Sequence, residues 1–245
     1  MHIAQTPGEP DDWNRIRCVV FDAVGTVIFA QPAVAEVYAA IGERHGSKRT
    51  QAEISRQFRA VFPRLLAEHN TRGVLPGQTS EEDESQFWRD VVTAIFDDVE
   101  QPRACFQELW DHFARPVAWR CFDDVGPTIS SLTGRGCEIV IASNFDDRLH
   151  QVCDGLLELR NVARRVISSR VGFRKPSVRF FEATLEIVGY RADEVLMVGD
   201  DFQNDVTAAR KAGLKACWLR RNGSTKIHPA ADAITSLTVL SEMLP

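Results

Sequence analysis

Hydrophobic positions along the chain fall into two textures. Between about residues 32 and 115 they recur at helical spacing, with Val34, Val37, Tyr38 and Ile41 at i, i+3, i+4 and i+7. Ile54, Phe58, Val61, Phe62 and Leu65 follow much the same rhythm, then Phe87, Val91 and Ile95, then Phe106, Leu109, Trp110 and Phe113. Helices are expected there, with a kink or break at Pro63. The stretch "RGVLPGQTS" (72–80) reads as a loop, and Thr79 with Glu82 has capping-box spacing at a helix start.

From residue 116 onward, short apolar runs alternate with helical segments. The runs are "CEIVIAS" (137–143), "RRVISS" (164–169), "EVLMVGD" (194–200) and "KACWLR" (215–220), with helices near 124–133, 146–159, 177–189 and 204–212. Together with "RCVVFD" (17–22) they predict five strands in β/α alternation, hence an α/β fold with a doubly wound parallel sheet. The helical block then reads as an insertion after the first strand. Residues 1–30 and 116–245 form the core on this reading, and 31–115 the inserted domain.

A chain of 245 residues that is 44% hydrophobic can bury a sizeable core. Its formal charge of −5, with basic residues scattered, argues against nucleic acid and anionic membranes as partners. The six cysteines form no CxxC pair, and Cys18, Cys137 and Cys217 fall in or beside predicted strands, where a thiol behaves as a small apolar residue. A reducing cytoplasm is the expected compartment. No apolar run is long enough for a membrane span, and the opening dozen residues read as a loose tail. The histidines show no HxH or HExxH spacing.

Chemistry is expected where the strands end. Asp22 closes the first run, Ser143-Asn144 the second and Asp200-Asp201 the fourth, while Lys175 follows the third in "GFRKPS". In an open parallel sheet these ends face one crevice, where ligands bind. Asp22 alone could be a turn cap, a metal ligand or a nucleophile. Beside Asp200 it can share a hard cation such as Mg²⁺, which prefers oxygen ligands. Ser143 and Lys175 can then hold phosphoryl oxygens, and Asp22 can attack phosphorus.

The set "FDAVGT", "IASN", "RKPSVRFF" and "VGDDFQND" resembles, in order, the four motifs of the haloacid dehalogenase (HAD) superfamily, and "SNFDDRL" resembles its HAD-like hydrolase domain-containing subgroup. The resemblance covers essentially the whole chain. It implies a Rossmann-like core, an inserted α-helical cap and, in most members, Mg²⁺-dependent phosphoryl transfer. By position it implies Asp22 as nucleophile, Ser143 as the hydroxyl and Lys175 as the lysine of the third motif. Thr26 and Asn144 stand at positions that support the phosphate or the loop. The implied metal set is Asp22, the Val24 backbone carbonyl, Asp200 and Asp205, with Asp201 replacing or assisting either of the last two. The expected partner is a small phosphorylated molecule, met by a monomer or homodimer.

Val24 departs from the pattern. Phosphatases of the superfamily carry a second Asp there, acting as general acid and then base, and valine can do neither. Losing such help costs about 10²–10⁴-fold, most for a poor leaving group. The resemblance leaves two alternatives: a metal-independent 2-haloacid dehalogenase, and a weakly active or inactive protein that binds a phosphorylated ligand. The three carboxylates of "GDDFQND" argue for a cation and against dehalogenation. A branch using a Schiff-base lysine in the cap is disfavoured, because Lys48, the one lysine in 31–117, stands in a polar loop sequence. Trp88, Trp110 and the cap phenylalanines read as core packing, with a few facing the crevice.

Overall fold

The computed structural model describes residues 13–71, 73–221 and 232–244. The tail expected over residues 1–12 lies outside them. Six parallel strands form the central sheet: β1 (Cys18–Phe21), β4 (Glu138–Ser143), β5 (Arg164–Ile167), β6 (Val195–Gly199), β7 (Lys215–Leu219) and β8 (Asp232–Ile234). Their spatial order is β5-β4-β1-β6-β7-β8, so chain progression reverses direction between β1 and β6. An open parallel sheet binds its ligands at such a reversal, outside the carboxyl ends of the strands.

The strands are nearly continuous apolar runs because both sheet faces are covered. Side chains alternate between two cores: Val19, Phe21, Ile141, Leu196 and Val198 pack on one face, and Cys18, Val20, Val140, Met197 and Ala216 on the other. The helices α5 (Val125–Gly134), α6 (Arg148–Gly155), α7 (Ser168–Val171), α8 (Val178–Val188), α9 (Ala208–Lys211) and α10 (Leu240–Met243) connect the strands or follow them. All six cysteines are free thiols. Among the described residues no helix is long and apolar enough to cross a membrane.

The chain leaves this core and returns to it through a small antiparallel pair, β2 (Ile28–Ala30) and β3 (Trp119–Cys121). Between them lie α1 (Val34–Arg44), α2 (Gln51–His69), α3 (Glu81–Ile95) and α4 (Pro102–Ala114). They pack around their own apolar cluster, which includes Tyr38, Ile54, Phe87, Val91 and Leu109.

Several local expectations need correction. The sheet has six strands rather than five, and β2, β3 and β8 are three-residue strands too short to show a periodicity. Of the kink or break expected at Pro63, the break does not occur, and α2 runs through it for 19 residues. Ile54, Val61 and Leu65 bury its face against neighbouring helices, which outweighs one missing backbone donor. The third helix begins one residue later than read: Ser80 caps it by accepting from the Asp83 N–H, while the buried Thr79 hydroxyl donates to Glu84. Residues 202–207 form a wide π-type turn before α9 rather than a regular helix start.

One core contact was invisible in the sequence. Arg221, just after β7, donates to both carboxylate oxygens of Asp124 at 2.8 and 2.9 Å and to the Thr26 carbonyl at 2.7 and 3.1 Å. Asp124 also accepts from Ser236 and the Leu237 N–H. Burial alone would raise its pKa, but these donors win and hold the carboxyl below its ordinary range. A depressed folded value contributes stability that is present above the unfolded value and lost as pH falls through the folded one. Asp124→Asn is therefore expected to cost about 2–3 kcal/mol at pH 7. In urea unfolding followed by circular dichroism, the gap between wild type and variant narrows below a pH of about 4. A gap independent of pH contradicts the assignment.

Candidate active site

The carboxyl end of β1 is built for close approach. Asp22 extends the ladder by one bond, its N–H donating to the Val198 carbonyl at 2.9 Å. The chain then turns tightly, with the Val27 and Ile28 N–H groups both donating to the Ala23 carbonyl. Gly25 sits at φ +89°, and a Cβ there would lie 2.5 Å from an Asp200 carboxylate oxygen. The loop from β1 thus touches the side chain that ends β6.

Around this point the structure gathers most of the predicted residues. The Lys175 Nζ donates to Asp22 Oδ1 at 2.6 Å, to Asp205 Oδ1 at 2.7 Å and to the Ala142 carbonyl at 3.2 Å. Ser143 Oγ donates to the same Asp22 Oδ1 at 3.4 Å. Carboxylate oxygens of Asp22, Asp200 and Asp205 all lie within 4.8 Å of one another. Asp205 reaches the cluster because Gly199 has no side chain: a Cβ there would stand 2.1 Å from Asp205 Oδ2.

Electrostatics follow from this crowding. Burial pulls the Lys175 ammonium down, but Asp205 and Asp22 outweigh it and hold it above its ordinary value. Asp200 is pushed up to about 6 by burial and by the Asp22 carboxylate, with the Thr26 hydroxyl opposing. Asp205 is raised by burial, against the pull of Lys175. Three carboxylates around one ammonium form an oxygen-rich set short of positive charge. Such a donor set fits a hard divalent cation such as Mg²⁺.

The supporting residues do not all stand where the sequence suggested. Thr26 is turned to Asp200, its hydroxyl donating to Oδ1 at 3.2 Å and accepting from the Asp200 N–H at 3.1 Å. Asn144 grips the Lys175 peptide, accepting from its N–H at 2.8 Å and donating to its carbonyl at 2.9 Å. Both side chains hold other site residues. Asp201 lies outside the carboxylate cluster, its oxygens accepting from the Gln203 and Asn204 N–H groups and the Asn204 side chain. It caps the turn that carries Asp205. Val24 is 43% exposed and lines a cavity next to the cluster.

Sequence reasoning missed the link between this site and the helical insertion. Arg174, beside Lys175, is buried against Glu84 of α3 at 3.0 Å. The backbone pairs there as well, Thr79 N–H to the Gly172 carbonyl and Arg174 N–H to the Gly77 carbonyl. "FRKPS" carries a second cation that could have raised the question, but nothing in "EEDES" distinguishes Glu84 from its solvated neighbours.

A doubly wound, Rossmann-like α/β core with a helical insertion carries an acidic, lysine-bridged site at the sheet reversal. The model of the haloacid dehalogenase-like hydrolase family matches residues 16–213, and the chain belongs to that family. It is 27% identical over 239 residues to haloacid dehalogenase-like hydrolase domain-containing protein 3 of Danio rerio, covering 94% of this chain and 96% of that one. A shorter match, 45% identical over 56 residues, is to a phosphoserine phosphatase of Thermus thermophilus and covers 23% of this chain and 22% of the relative. Among solved structures, the defluorinating L-2-haloacid dehalogenase Rha0230 shares the fold, with a TM-score of 0.74 at 16% identity over 93% of this chain and 94% of that one.

The Asn144 grip on Lys175 is directly testable. Asn144→Ala removes two backbone partners and is expected to lower stability by about 1–3 kcal/mol in urea unfolding with an unchanged m-value. An unaltered midpoint contradicts this role.

Proposed function

We propose that this hydrolase is a Mg²⁺-dependent phosphatase of a small phosphorylated metabolite, working through an aspartyl-phosphate at Asp22. The observation that carries the reading is the convergence of Asp22, Asp200 and Asp205 around the Lys175 ammonium at the sheet reversal. Residues 31–115 act as the cap over this site. Asp22, Asp200, Asp205 and the Val24 carbonyl would hold Mg²⁺, which would supply the neutralisation that an anionic nucleophile needs against an anionic ester.

The side chains do the rest. Both side-chain hydrogen bonds of Asp22 among the described residues fall on Oδ1, from Lys175 and Ser143. This orients Oδ2 for attack on phosphorus. The ester P–O bond breaks and the leaving oxygen keeps the electron pair. Ser143 and Lys175 stabilise the phosphoryl oxygens. Water then cleaves the aspartyl-phosphate, its proton passing to solvent, and inorganic phosphate departs. Val24 supplies no proton in either step. Dehalogenation at carbon gives no role to Asp200 and Asp205, whose close approach to Asp22 is unfavourable without a cation.

Phosphate release from acetyl phosphate, p-nitrophenyl phosphate and sugar phosphates tests the reading. Turnover is expected to need Mg²⁺, to vanish with EDTA and to fall at least about 10³-fold in Asp22→Asn. Mg²⁺ is expected to raise the melting temperature of wild type but not of Asp200→Asn. Release that survives EDTA or Asp22→Asn overturns the proposal. So does halide release from 2-haloacids without Mg²⁺, and so does silence on every phosphate.

A further inference from the structure

Beside the carboxylate cluster, between core and helical insertion, lies a cavity of about 450 Å³. Val24, Gly25 and Asn144 form its end next to the site, and Gly25 is the residue that touches Asp200. Its further walls are aromatic, including Phe29, Phe58, Phe62, Trp88 and Trp110. Tyr38 brings one phenol hydroxyl to the lining, and the other two polar side chains, Asn144 and Arg148, are committed elsewhere. Asn144 holds the Lys175 peptide. Arg148 lies with its guanidinium 3.3 Å from the Trp110 ring centre and donates to both oxygens of Asp146 and to the Trp110 carbonyl.

Such a chamber suits one kind of leaving group. The hydroxyls of a sugar would lose water there and meet aromatic faces, whereas a fused ring would be matched on its surface. An apolar cavity of about 150 Å³ already holds benzene, so this one has room for a larger ring system. The chemistry at the mouth agrees. With valine where the superfamily's phosphatases place an acid, the leaving oxygen must depart unprotonated, which a phenolate does far more readily than an alkoxide.

We infer that the substrate is a phosphate monoester of a bulky, uncharged phenol, its ring system seated in this chamber and its phosphate at Asp22. The inference rests on the phosphatase reading above and specifies its substrate class. Asp22 Oδ2 bonds to phosphorus, the aryl P–O bond breaks, and the phenolate takes the electron pair and is protonated in solvent. Water supplies the oxygen that later releases phosphate.

The test compares kcat/KM, with Mg²⁺, for 2-naphthyl phosphate, phenyl phosphate, ring-sulfonated 2-naphthyl phosphate and glucose 6-phosphate. Naphthyl and phenyl esters leave almost equally well, so their ratio reads the chamber. The naphthyl ester is expected to exceed the phenyl ester at least tenfold and glucose 6-phosphate at least 10³-fold, and the sulfonate to forfeit the gain. Val34 lines the chamber at the first position of α1, where an aspartate suits the helix terminus. Val34→Asp is expected to reduce the naphthyl-to-phenyl ratio to near one. Calorimetric titration of Asp22→Asn with both aryl esters is expected to show at least tenfold tighter binding of the naphthyl compound, a readout independent of turnover. Turnover or binding without naphthyl preference overturns the inference while leaving the phosphatase reading in place. No turnover of any ester, acetyl phosphate included, overturns both.

Discussion

The site depends on one buried ammonium. Lys175 lies between Asp22 and Asp205, in contact with both. Without it, the buried Asp22 and Asp205 would face each other, and the exposed Asp200, at the end of the sheet, an arrangement that like-charge repulsion makes unfavourable. The surrounding structure serves to keep this ammonium in place. Asn144 grips the Lys175 peptide from β4, the Ala142 carbonyl takes a further donor, and Gly199 makes room for Asp205. A second layer fixes the partners, with Thr26 bonded to Asp200 and Arg221 fastening the Thr26 carbonyl to Asp124.

The same segment joins site and helical insertion. Arg174 and Lys175 are adjacent, yet one reaches Glu84 of α3 and the other Asp22. Residues 77–79 pair with 172–174 through backbone hydrogen bonds. The insertion is thus tied to the lysine loop as well as through β2 and β3, and Val24 lines the aromatic chamber at its end next to the site. In the proposed reaction, apolar wall and missing acid are one feature: Val24, whose side chain carries no proton to give, also lines the space assigned to the leaving group.

Much of this was legible in the sequence because the signals were of long range in pattern and short range in space. Continuous apolar runs ending in Asp22, Ser143 and Asp200 marked strands covered on both faces, and their ends had to share an edge. The helical insertion showed in its 3.6-residue periodicity. What escaped were three-residue strands, below the length at which period carries information, and side chains whose partners come from remote segments. Glu84 and Arg221 look like ordinary surface charges until the fold brings Arg174 and Asp124 to them. The particular partners of Thr26, Asn144 and Asp201 were not legible either, because proximity in a motif does not say where a hydrogen bond points. Pro63 failed as a breaker for the opposite reason: tertiary burial of the α2 face overrode a local rule.

The central claim is that Asp22, oriented by Lys175 and Ser143, becomes covalently phosphorylated. Acid-quenched mass spectrometry of the protein during turnover of an aryl phosphate, with the modified peptide mapped, tests this most directly. The account predicts a mass increase of one phosphoryl group, located on the peptide containing Asp22 and absent from Asp22→Asn. Turnover with an unmodified Asp22 peptide, or a phosphoryl group on another residue, would contradict it.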